Sequence, residues 1–107
     1  MTEVAHGPTG RGSVVLDIGG TIGTLVLHTT AELLGVEIEV EPVGGGAAAH
    51  RTHTAVRERR GGPTVRYGAI FAALPAGTYT VYDLDGAPAD TATITGGHVT
   101  TLDWRPT

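Results

Sequence analysis

The sequence predicts an all-β protein, one antiparallel sandwich of seven or eight short strands. Three observations predict it. Apolar residues recur at every second position, most cleanly in Val36-Glu37-Ile38-Glu39-Val40-Glu41, which is the spacing of a strand with one buried face. Gly and Pro interrupt this pattern at intervals of about ten residues, the turn spacing of sandwich folds. No segment is long enough to serve as a crossover helix, which a parallel sheet would need between its strands.

Taken in order, residues 1–11 read as a flexible lead-in and 12–107 as one sandwich domain. The stretch 12–18, Gly-Ser-Val-Val-Leu-Asp-Ile, reads as a strand that turns at Gly19-Gly20. Residues 21–29 follow as its partner, with Ile22, Thr24, Val26 and His28 on one parity. Residues 29–35 fit either a helical turn or a continued strand. Residues 36–40 form the cleanest strand, and 42–49 a glycine-rich loop. His50 to Arg59 read as one polar, exposed strand, broken at Arg60-Gly61-Gly62-Pro63. Residues 65–74, 77–84, 89–95 and 98–104 complete the set. The expected core is Val14, Leu16, Val26, Val36, Ile38, Val40, Phe71, Leu74, Tyr79, Val81, Ile94, Leu102 and Trp104.

Composition excludes several chemistries. The net charge is −4, which argues against non-specific nucleic-acid binding. There is no cysteine, so neither disulfides nor thiolate metal sites are available. Lys, Asn and Gln are absent too, which removes Schiff-base chemistry and the P-loop lysine. No apolar run reaches the roughly 20 residues of a membrane span. The N-terminus has neither the basic start nor the apolar middle of a secretory signal, so a cytoplasmic location is expected.

Phe71-x-x-Leu74-Pro75-x-Gly77-x-Tyr79-x-Val81 resembles the second half of prealbumin-like β-sandwich modules, the carboxypeptidase regulatory-like domains and collagen-adhesin B-type repeats. The resemblance covers roughly residues 65–104, including the closing Ala92-to-Trp104 stretch. It implies a prealbumin-like, Ig-like Greek-key sandwich and is nearly silent on function. The Lys of the isopeptide lock found in collagen-adhesin repeats is absent. The C-terminal Tyr-Arg-Gly-Ser of transthyretin-like hydroxyisourate hydrolases is absent as well, since this chain ends Asp103-Trp104-Arg105-Pro106-Thr107.

Asp17-Ile18-Gly19-Gly20-Thr21 looks like the phosphate-binding turn of sugar kinases. That fold needs two α/β lobes and a second phosphate turn, which 107 residues cannot supply, so a tight hairpin turn is the favoured reading. No Gly-x-Ser-x-Gly elbow surrounds Ser13, the only serine, and nothing singles out Asp17 or Glu58 as an acid or base. Asp83, Asp85 and Asp90 faintly resemble a calcium loop, but the later ligands are missing, which favours an Asp-Gly turn.

Two features remain. Arg51, Arg57, Arg59, Arg60 and Arg66 fall within sixteen residues, opposite an acidic stripe of Glu37, Glu39 and Glu41. They read either as solvated cross-strand ion pairs or as a surface for a protein partner or for self-association. His50 and His53 invite a zinc, copper or nickel site with His98 as third ligand. In an unbroken strand, however, residues three apart point to opposite faces. The expectation is therefore a non-catalytic binding or assembly module using exposed strand edges and the 50–66 region, with no cofactor. A small metal-binding protein is the alternative, and a hydrolase is third.

Overall fold

The computed structural model describes residues 19–44 and 51–104. The expected strand at 12–18, with Val14, Leu16 and Asp17, lies outside the described residues, as does His50. Eight strands are present among the described residues: β1 (Ile22–Thr29), β2 (Glu37–Pro42), β3 (Thr52–Ala55), β4 (Arg57–Gly61), β5 (Thr64–Pro75), β6 (Gly77–Tyr82), β7 (Pro88–Ile94) and β8 (Val99–Asp103). They form two four-stranded sheets, ordered β4-β5-β1-β8 and β3-β2-β6-β7. The long returns that bring β5 beside β1 and β6 beside β2 give the sandwich its Greek-key character.

Five of the six strand pairings are antiparallel, and the sixth departs from the expectation. β1 and β8 run parallel, with Thr24 opposite Val99 and His28 opposite Asp103. The chain crosses between sheets in reaching β8, which leaves it free to lie along β1 in the same direction.

Inward residues of both sheets meet in one core. Leu25, Leu27, Ala69, Phe71 and Leu74 come from the first sheet, and Ile38, Val40, Tyr79, Val81, Ala92 and Ile94 from the second. Val36 and Leu102, expected inside, are partly buried against this cluster. Residues 29–35 resolve into a 3-10 turn at Ala31–Leu33 that buries Leu33.

The expected face of β1 is corrected. Leu25 and Leu27 are fully buried, while Val26 sits on the other face and is half-exposed. Near the start of the strand a bulge shifts the register. Gly23 faces Leu74 and Leu25 faces Phe71, so Thr24 alone spans Ala72 and Ala73. The Thr24 hydroxyl donates to the Ala72 carbonyl at 2.8 Å within that bulge.

The expected single strand over 50–59 is also corrected. It is two strands in different sheets, with Val56 as the pivot. Val56 is 1 % exposed. Its N–H donates to the Val36 carbonyl at 2.9 Å, and its carbonyl accepts from Gly35 N–H at 2.8 Å. The one large apolar side chain of this otherwise mostly polar stretch is thus pulled inside, and the chain changes sheet around it.

Tyr79 ties the Leu-Pro turn to the core. Its ring is buried, and its hydroxyl donates to the Pro75 carbonyl at 2.6 Å. Burial pushes the phenol above its ordinary value. A pKa raised in the folded state contributes stability that is present below about pH 10 and lost as pH rises through the folded value. The Tyr82 phenol, raised chiefly by its hydrogen bond to Glu41, acts in the same direction. Tyr79→Phe should cost about 0.5–1.5 kcal/mol at neutral pH. It should also make the alkaline loss shallower, as urea midpoints at pH 8 and pH 11 would show.

Candidate partner-binding edge

β4 is built from Arg57-Glu58-Arg59-Arg60-Gly61. Only β5 pairs with it, so its other edge is free among the described residues. β5 pairs with β4 over Thr64–Gly68 but with β1 only from Tyr67 onward. The two strands therefore project past the end of β1 as a ribbon. The ribbon closes on Gly62 and Pro63, between the paired Gly61 and Thr64. Gly62 takes a φ of 63° and the proline ring holds φ near roughly −65°. A positive φ at the first position suits a two-residue hairpin turn whose twist matches its strands.

The alternation of β4 sorts its charges by face. Arg57 and Arg59 point to one side, and Arg66 lies directly across from Arg59. Like charges placed opposite each other in a ladder repel. Among the described residues, none of Arg57, Arg59 and Arg66 has a carboxylate in ion-pair contact. Arg59 is half-buried, and its Nε is buried with no hydrogen-bond partner among the described residues. Burial, and after it the charge of Arg57, push the Arg59 guanidinium below its ordinary value, though a guanidinium keeps its charge. On the opposite face Arg60 pairs with Glu58 at 2.5 Å, beside Val65 and Tyr67.

The five predicted arginines do not form one patch. Arg51 lies on the other sheet, because the chain crosses over at Val56. It donates to Glu39 at 2.9 Å, approaches Glu41 at 3.7 Å, and stacks 3.9 Å above the Tyr82 ring. The Glu39 hydrogen bond holds its guanidinium above the ordinary value. Tyr82, whose hydroxyl donates to Glu41 at 2.5 Å, is absent from the sequence-based set. Its outward parity with Thr78 and Thr80 was the available signal. The acidic stripe is thereby occupied within its own sheet, with Glu37 taken by His53.

Of the expected metal ligands, His50 lies outside the described residues, and His53 and His98 fall on different sheets. His53 sits on edge strand β3 of one sheet. His98 sits in the turn before β8, an edge strand of the other, with its Nδ1 2.9 Å from the Gly96 carbonyl oxygen. Among the described residues no group of three or more His, Asp or Glu is placed to hold a metal ion. Asp83, Asp85 and Asp90 each accept a nearby backbone N–H, from Leu84, Ala87 and Thr91 at 2.7, 2.9 and 2.8 Å. For Asp83 and Asp85 these are turn roles, while Asp90 lies within β7.

Two open hollows flank that turn. One of about 360 Å³ is lined by Glu37, Glu39, His53, Asp83, Leu84 and Gly86. Another of about 420 Å³ lies between Asp85, Asp90, Asp103 and Trp104. Among the described residues, neither is lined by a hydroxyl or thiol nucleophile. No helix among the described residues is long and apolar enough to cross a membrane. No family model, curated protein or solved structure matches the chain.

Proposed function

We propose that this chain is a non-catalytic binding or assembly module that works through the free edge of β4. One observation carries the reading: an acidic chain gathers three guanidiniums on a ribbon where, among the described residues, they meet no carboxylate and the outer edge is unpaired. Exposed edges of this kind pair readily with other chains unless something blocks them. Lone charges on an edge also discourage indiscriminate pairing, so the edge favours a partner that brings opposite charge. The partner is a protein chain. The sandwich itself is read as a prealbumin-like module on the Phe71-to-Val81 resemblance.

The test is site-specific photo-crosslinking in the host cells. A photoreactive residue replaces Glu58 on β4 and, in a control, Thr93 on β7. Protein adducts are expected from the β4 position and not from β7. Adducts from β7 alone, equally from both, or from neither would overturn the reading.

A further inference from the structure

Resting on that reading, we infer that the partner is an extended segment that adds as a strand along β4 and carries a carboxylate at every second residue. The spacing follows from the pleat. Arg57 and Arg59 are two residues apart on one face of an edge strand. Residues directly opposite them on an added strand are also two apart and on that same face, with Cβ atoms about 4.5–5.5 Å away. Two carboxylates there meet two guanidiniums, and Arg66, across the ribbon from Arg59, adds a third positive charge within reach of a long side chain. The carboxylate opposite Arg59 also supplies an acceptor close to a half-buried guanidinium that has none.

The residue between the two carboxylates has the opposite requirement. It lies on the other face, opposite Glu58, which is already held by Arg60. A carboxylate at that point would be repelled, whereas a small polar or β-branched residue would fit beside the ladder. The edge thus selects acid–neutral–acid alternation over a run of acids.

This chain contains two such segments, Glu37-Ile38-Glu39-Val40-Glu41 and Asp83-Leu84-Asp85. Neither is the occupant. As β2 the first is paired on both sides, with β3 and β6, and its carboxylates are held by His53, Arg51 and Tyr82. The second forms the turn between β6 and β7, where Asp83 and Asp85 accept the backbone N–H groups of Leu84 and Ala87. The occupant is therefore a segment of a different chain.

The experiment uses the full chain and two fluorescent peptides of the same Glu and Thr composition, one alternating and one with its Glu residues in a single block. Inorganic polyphosphate is a third probe. Fluorescence anisotropy at low salt should show the alternating peptide binding about tenfold or more tighter than the block peptide. Added salt should weaken that binding. A version N-methylated at alternate amides, which cannot complete a ladder, should lose it. Arg57→Glu with Arg59→Glu should abolish binding, while Arg60→Glu, on the other face, should leave it nearly intact, with circular dichroism confirming that each variant is folded. Equal binding of the two peptides, displacement of the alternating peptide by polyphosphate, indifference to N-methylation, or no binding at all would overturn the inference. Crosslinks from β4 in cells would survive that failure and leave the module reading standing with a partner of other chemistry.

Discussion

Trp104→Ala should destabilise the fold by about 3–5 kcal/mol, the usual range for truncating a buried tryptophan. Trp104 is 2 % exposed and closes the core beyond the end of β8. Its backbone N–H donates to the His28 carbonyl at 2.9 Å, which continues the parallel β1–β8 pairing by one residue. The side chain therefore plugs the point where the last strand joins the first sheet. Its indole N–H is buried without a hydrogen-bond partner among the described residues, and a buried unpaired donor costs about 1–3 kcal/mol. Trp104→Phe removes that donor and leaves a smaller cavity, so it should cost clearly less than the alanine variant. Urea unfolding followed by far-ultraviolet circular dichroism measures both. An alanine variant within about 1 kcal/mol of wild type, well below that range, would mean that Trp104 does not close the core.

The sheets were legible in sequence where one strand face is apolar and the other charged. β2 is the clear case, with Ile38 and Val40 inside and Glu37 and Glu39 outside. β1 was not, because Ile22 and Val26 on one parity compete with Leu25 and Leu27 on the other. A strand apolar on both faces carries no parity signal. The choice is made by its neighbours, through the bulge opposite Ala72 and Ala73. The parallel β1–β8 pair joins the two ends of the described sandwich, which no local pattern can report. At the candidate edge, sequence displayed the arginines but not their partition. One residue divides them: Val56, the one large apolar side chain between Arg51 and Arg60, sends Arg51 to one sheet and the other four to the second. Arg51 is held in an ion pair on the first side, whereas on the second only Arg60 is paired, with Glu58.

Gly96→Ala should be the most damaging of the small substitutions, and the reason settles what the Gly19-Gly20 turn does. That turn closes on itself through two hydrogen bonds between Gly19 and Ile22, at 3.0 and 2.8 Å. Its carbonyl face receives the turn between β7 and β8, which carries the second glycine pair, Gly96-Gly97. Gly97 N–H donates to the Ile22 carbonyl at 2.8 Å. A Cβ on Gly96 would lie 1.8 Å from the Gly20 carbonyl oxygen and 3.0 Å from the Thr21 Cα. Both are backbone atoms, so no side chain can swing aside, and the two turns must separate. Overpacking typically costs 1–3 kcal/mol; with backbone on both sides, about 3 kcal/mol or more is expected here. Gly20→Ala is the control. A Cβ there meets nothing within 4 Å, but the residue's φ is 55°, so only left-handed strain of about 1–2 kcal/mol applies. Chemical unfolding of the two variants should rank Gly96→Ala well below Gly20→Ala. The reverse order would mean that the turns are not packed against each other. A rise in melting temperature with ATP would point the same way, since a ligand held only by the folded state must stabilise it, and the Gly-Gly turn would then be a phosphate cradle rather than a seat for its glycine counterpart.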